Sequence, residues 1–120
     1  MEKGIELEKR VANLFEKFGW QVTTNRLFLI DNQKAIQPDL VLEDGENLMG
    51  FVEVKTNLEL LTDDTVINRV RLIMKEHAQF AFFTDGISFD LYIYGSFYGN
   101  FPYPLSPNDI SILINNRGLE

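Results

Sequence analysis

Asp39, Glu53 and Lys55 are the residues of this 120-residue chain whose types and spacing could do chemistry. Asp39 follows Pro38 in the segment QPDLVLEDG, and Glu53 and Lys55 flank Val54 in GFVEVKTN. On a β-strand alternate residues share a face, so Glu53 and Lys55 project together while Val52 and Val54 point the other way into a core. A hairpin joining the two segments brings the Asp39 carboxylate beside Glu53. Two carboxylates held close repel unless a cation joins them, and oxygen-only ligation suits Mg²⁺ or Mn²⁺. A lysine beside them can neutralise the charge that builds on a phosphodiester in the transition state, or hold and help deprotonate the attacking water. Phosphodiester hydrolysis is the reaction this constellation fits. The competing reading makes Asp39 a turn residue and leaves Glu53 and Lys55 as an ordinary pair on a solvated strand face.

The elements that must position these residues are written in the apolar periodicity. Between Gly4 and Phe18, residues Leu7, Val11, Leu14, Phe15 and Phe18 recur at helical spacing, and Gly19 follows as a stop. Glu8 interrupts the apolar face of this helix, with Ile5, Val11, Ala12 and Phe15 within three, four or seven positions, whereas Glu2, Glu6 and Glu16 do not. A carboxylate on that side needs a partner, and a metal site would provide one; the alternative is a helix-edge glutamate paired with Lys9 or Lys3, or left in solvent. Residues 20–24 alternate as a strand. Residues 25–37 are ambiguous, with Leu27 to Ile30 extending the strand or forming another. Residues 38–55 predict an antiparallel hairpin turning at Asp44 and Gly45.

Asp63 or Asp64 can cap a second helix whose apolar face carries Val66, Ile67, Val70, Ile73, Met74 and His77. His77 is expected to be packed and hydrogen-bonded rather than a ligand. Residues 80–84 and 87–94 predict a second hairpin, with Asp85 and Gly86 as a two-residue turn. Ser106 as N-cap, Pro107 in the first turn and Gly118 as the stop predict a third helix. The result is one α/β domain spanning residues 1–120, a central mixed β-sheet flanked by helices.

Composition narrows the chemistry. The chain has no cysteine and a single histidine, which excludes thiolate-metal sites and a histidine-rich cluster. No apolar run is long enough to span a bilayer and the N-terminus lacks the apolar stretch of a signal peptide, so a cytoplasmic location is expected. The formal net charge of −7 opposes autonomous binding to a polyanion. Arg69, Arg71 and Lys75 on the second helix form the one local basic cluster and are the candidate phosphate contacts. The alternative is a solvated helix face, since Arg69 and Arg71 are two apart. Residues 92–103 crowd six aromatic side chains, Tyr92, Tyr94, Phe97, Tyr98, Phe101 and Tyr103. Sheet packing is the default role for most of them, and any left exposed mark an interface. A homodimer or a protein partner supplying DNA affinity is therefore expected.

The first helix, then QPDLVLEDG, then GFVEVKTN, then a helix leading into a further strand, resembles the PD-(D/E)XK nuclease core of resolvases, recombination nucleases and many restriction enzymes. The resemblance covers about residues 4 to 94. It implies a restriction-endonuclease-like fold in the order αβββαβ, here with an added C-terminal hairpin strand and helix, and a Mg²⁺-dependent endonuclease acting on DNA in a restriction, repair or mobile-element context. It also implies that Asp39 and Glu53 bind the metal, with Glu8 from the first helix in support and Val54 as the spacer residue of the metal motif, and that Lys55 is the catalytic lysine. The segment AFFTDGISFDLYIYG is similar to the hairpin after the nuclease core in the motor subunits of type I restriction enzymes. Those relatives commonly carry Gln-x-x-x-Tyr on the second helix, and residues 64–78 contain neither glutamine nor tyrosine. A non-catalytic subunit or regulator of the same fold is the alternative.

Overall fold

A computed structural model describes residues 4–30, 34–56 and 64–117. The described elements are α1 (Gly4–Lys17), β1 (Gln21–Thr23), β2 (Phe28–Ile30), β3 (Lys34–Ile36), β4 (Leu40–Glu43), β5 (Met49–Val54), α2 (Asp64–Glu76), β6 (Phe80–Thr84), β7 (Phe89–Ile93), β8 (Ser96–Phe101) and α3 (Pro107–Arg117). The protein is mixed α/β, built on a six-stranded mixed sheet in the order β1-β4-β5-β6-β7-β8, with β2 and β3 forming a separate two-stranded sheet. Every neighbouring pair is antiparallel except β5 and β6, which are parallel and joined through α2.

Strand alternation sorts the apolar side chains onto two faces. Leu40, Leu42, Val52, Val54, Phe80, Phe82, Phe89, Leu91 and Ile93 pack with Leu7, Val11 and Phe15 of α1 and Ile110 of α3. Val41, Phe51, Ala81 and Phe83 pack instead with Ile73 and Met74 of α2 and with Phe28 and Ile36 of the small hairpin. The first face holds an aromatic cluster in which Phe89 meets Phe15 edge-on at 5.8 Å between ring centres, and Phe80 meets Phe82 edge-on at 6.0 Å. Each buried phenylalanine removes enough apolar surface from water to contribute about 1.5–3 kcal/mol. Gly50 on β5 lets the Phe80 ring lie directly over the strand, in the space a Cβ would occupy.

The end of α1 fixes how that helix enters the sheet. Gly19 adopts φ 105°, its N–H donates to the Glu16 carbonyl at 3.0 Å, and the Trp20 N–H donates to the Phe15 carbonyl at 3.2 Å. This pair of bonds is a Schellman cap, and its accompanying apolar contact comes from the buried Phe15 and Trp20. The Asp44 carboxylate accepts from Glu46 N at 2.8 Å and Leu48 N at 3.0 Å, which closes the β4–β5 turn and sets its register. Ser106 Oγ accepts from Asp109 N at 3.2 Å, so α3 begins as its capping pattern predicts.

Three expectations change. The β6–β7 connection is a four-residue loop, since Thr84 pairs with Phe89. The Thr84 hydroxyl donates to the Ser88 carbonyl at 2.8 Å and accepts from Gly86 N at 2.8 Å, while Asp85 Oδ1 accepts from Ile87 N and Ser88 N at 2.9 Å each. That hydrogen-bonded loop displaces the tight two-residue turn. Residues 96–101 add an edge strand, β8, that their exposed aromatic side chains obscured, while the ambiguous segment takes the second of its two readings, a separate strand β2 paired with β3. His77 is exposed rather than packed in the core, although it is hydrogen-bonded: its Nε2 lies 3.0 Å from the Leu29 carbonyl and its ring 5.0 Å from Phe28. Asp63 and Gly118 fall outside the described residues, as do the side chains of Val66, Ile67 and Val70. No helix among the described residues is long and apolar enough to cross a membrane.

Candidate functional site

Asp39 sits at the mouth of β4, and its carboxylate Oδ2 accepts a hydrogen bond from the Val54 N–H at 2.7 Å. The sequence dictates this junction. Leu40 pairs with Val52, so continuing the antiparallel register by two residues sets Pro38 opposite Val54. In such a pair each residue normally gives its N–H and takes the other's. Pro38 has no N–H to give to the Val54 carbonyl. The Asp39 side chain takes the Val54 N–H in place of a backbone carbonyl. The N–H and carbonyl of one strand residue point to the same side, so the Val54 carbonyl also faces the Asp39 edge.

Glu8, half-buried on α1, meets Asp39 from the other side. Burial pushes its carboxyl above the usual range. The neighbouring Asp39 charge and a hydrogen bond shared with the Asp39 carboxylate raise it further, and Lys55 opposes the rise. The carboxylate of Asp39 disfavours the charged form of Glu8, and the nearby ammonium of Lys55 favours it. Glu6 and Glu16 on the same helix are exposed. Glu8, Asp39, Val54 and Lys55 line one hollow of about 260 Å³ together with Leu7 and Thr56. Glu8 and Asp39 also border a larger hollow of about 450 Å³, whose wall includes Lys9, Thr24, Asn25 and Gln37.

The Lys55 backbone is held by its N–H donating to the Thr84 carbonyl at 3.0 Å. Thr84 is fully buried and its hydroxyl organises the β6–β7 loop, so it anchors the end of β5 on the side away from Asp39. The residue reading did not single out Thr84. The signal available was a small β-branched residue immediately before Asp-Gly, a position suited to closing a loop through its hydroxyl.

Glu53 lies on β5 between Val52 and Val54 and is only 2% exposed. By alternation it shares the face of Phe51, toward α2. Among the described residues no three acidic or histidine side chains are arranged as a group that could hold a metal ion. The structure therefore brings Glu8, Asp39 and Lys55 together and does not gather Glu53 with the two carboxylates as one ligand set. The donor chemistry of the Glu8–Asp39 pair nevertheless fits Mg²⁺, which is held by one or two carboxylates and keeps several waters. A divalent cation would offset the repulsion between the two carboxylates.

Arg71 and Lys75 lie elsewhere. Both are exposed and border a hollow with Tyr94 and Gly95, at the connection between β7 and β8. Phe80 pairs with both Gly50 and Ile93, so this connection sits at the start of β6, whereas Val54 and Thr84 mark its far end. The basic group and the carboxylate pair thus occupy opposite ends of the sheet. Arg69 belongs to α2, and its side chain lies outside the described residues. No protein-family model, no curated protein and no solved structure matches this chain.

Proposed function

We propose that this protein is a metal-dependent nuclease of the PD-(D/E)XK type, with a restriction-endonuclease-like core, that hydrolyses phosphodiester bonds in DNA. The observation that carries the reading is the meeting of Glu8, Asp39 and Lys55 in one hollow over the Val54 backbone. Three segments far apart in sequence contribute to it, and the hollow opens at the carboxyl ends of the parallel pair β5 and β6, where open α/β sheets bind ligands.

Asp39, Glu8 and the Val54 carbonyl would hold Mg²⁺, with Glu53 as the adjoining carboxylate on β5. Mg²⁺ supplies positive charge beside the phosphate and lowers the pKa of a water. The Lys55 ammonium faces the same space and balances the negative charge that grows on the phosphate oxygens, or orients the water that attacks phosphorus. Thr84 keeps Lys55 in register by holding its N–H. The test is cleavage of plasmid and oligonucleotide DNA with Mg²⁺ or Mn²⁺. Lys55→Ala is expected to lower cleavage about a hundredfold or more while Mn²⁺ binding persists, and cleavage at the wild-type rate in that variant would remove the lysine from the reaction.

A second reading, a non-catalytic module of the same fold, is favoured by the burial of Glu53 and by the missing Gln-x-x-x-Tyr pattern on α2. Tight DNA binding without cleavage under any divalent cation would select it.

A further inference from the structure

The β7–β8 connection turns on two residues, Tyr94 and Gly95, both in the left-handed region at φ 48° and 85°. Two-residue turns of this hand match the twist of antiparallel strands, and Asn, Asp or Gly is the usual first residue. A tyrosine there costs on the order of 1 kcal/mol of backbone strain. Packing does not account for its presence, because Tyr94 is 58% exposed.

Its surroundings do account for it. Arg71 and Lys75 are one helical turn apart on α2, and with Tyr94 and Gly95 they border a hollow of about 320 Å³ floored by the buried Met74. Arg71 Nε donates to the Gly95 carbonyl at 3.2 Å, which fixes the guanidinium against the turn and leaves its terminal nitrogens for an anion. Of the nearby carboxylates, Asp90 is engaged, accepting from Asn100 Nδ2 at 2.6 Å. Tyr94 N donates to the Gln79 carbonyl at 2.9 Å, and Gln79 also ties down Met49 and Asn47, so the turn is braced against the starts of β5 and β6.

We propose that this hollow is a binding site for single-stranded nucleic acid, with a base stacked on the Tyr94 ring and the adjoining phosphates on Arg71 and Lys75. A flat ring beside two cations over an apolar floor is the unit that holds unpaired nucleotides without reading their sequence. A duplex keeps its base faces covered and cannot use the ring. The site rests on the reading of this chain as one that acts on nucleic acid. It lies about 13 Å along β5 from Val54, taking four strand residues at about 3.3 Å each.

The experiment measures binding of a fluorescent poly-dT oligonucleotide to the whole chain without divalent cation, so that cleavage plays no part. Tyr94→Asn suits the turn better than tyrosine does, so it is expected to keep or raise Tm while weakening binding about tenfold. Tyr94→Phe is expected to bind like wild type. The paired Arg71→Ala, Lys75→Ala variant is expected to flatten the dependence of log affinity on log salt by about 1.4 units of slope. Undiminished binding by Tyr94→Asn overturns the proposal, and so does equal competition by inorganic phosphate in the presence and absence of the ring. Binding that follows Tyr94 in a chain that never cleaves DNA would instead sink the nuclease reading and leave this site standing.

Discussion

Asp39 Oδ2 accepts the Val54 N–H at 2.7 Å, so one carboxylate both ends the β4–β5 ladder and faces the hollow shared with Glu8 and Lys55. Structure and chemistry can be separated there by substitution. Asp39→Asn retains an oxygen for the Val54 N–H and removes the charge. Asp39→Ala leaves that N–H without its partner, at a cost of about 1–3 kcal/mol. We expect Asp39→Asn to unfold in urea close to wild type and Asp39→Ala to unfold at lower denaturant, with both losing Mn²⁺ binding in titration calorimetry. Unchanged Mn²⁺ affinity in either variant would remove Asp39 from the metal site.

Glu8 makes the protein's stability depend on pH in a direction that can be stated. Its carboxyl is raised in the folded state, by burial first and then by Asp39. Between the unfolded and the folded value, the folded protein therefore holds this proton more firmly than the unfolded chain does. The associated stability is fully present below the unfolded carboxyl pKa and is lost as pH rises through the folded value. In metal-free buffer, Glu8→Gln should have a higher Tm than wild type at pH 8, with the difference closing toward pH 4, and Glu6→Gln should do neither. Because a cation competes with protonation of Glu8, Mg²⁺ should raise the wild-type Tm more at pH 8 than at pH 5. Equal behaviour of the two glutamine variants, in Tm and in cleavage, would return Glu8 to the solvent.

Gly50 offers a test of the fold itself. A Cβ at this position enters the space of the Phe80 ring, whereas one at Gly99 meets only ordinary contacts at 3.6 Å. Overpacking of a filled core typically costs about 1–3 kcal/mol. Gly50→Ala should therefore lower stability by that amount, and Gly99→Ala should change it much less. Similar denaturation midpoints for the two would mean that Phe80 does not cover β5.

The edge strand β8 bears on association. Ser96 to Phe101 carries no charge in a chain of net −7, and Phe97 and Tyr98 are 56% and 39% exposed. An apolar edge without charged side chains offers unpaired backbone groups to another strand. Two copies that repel elsewhere can meet there, and we expect a dimer paired along β8. Sedimentation should detect it, and Phe97→Lys should convert it to monomer. A wild-type chain that stays monomeric at high concentration, or a Phe97→Lys variant that remains dimeric, would count against the pairing.

How far the sequence could be read depends on where its information is local. The α1 boundary was legible because Gly19 closes a cap with its own helix, and the β4–β5 hairpin was legible because Asp44 binds the turn that follows it. Glu8 was legible from helical spacing alone, since only its position among Ile5, Val11 and Phe15 sets it apart from Glu6. Glu53 was not fully legible. Alternation assigned its face, but burial to 2% is set by tertiary packing that alternation does not encode. The separation of Arg71 and Lys75 from the carboxylates follows from the crossover, because a helix joining parallel neighbours must run back along the sheet and end at its other edge. β8 was missed because an edge strand need not alternate when neither of its faces is fully covered.

The parallel pairing of β5 with β6 also sets an order of events during synthesis. Glu8, Asp39 and Lys55 all leave the ribosome before residue 60, yet the Lys55 N–H finds its partner only in Thr84. A nascent chain that has reached α2 thus carries every charged residue of the hollow but no strand to hold the lysine end in place. Twenty-nine residues separate that donor from its acceptor, and such a contact forms late because the intervening chain must first be ordered. The lysine end of the hollow is therefore without its strand partner until β6 has been made.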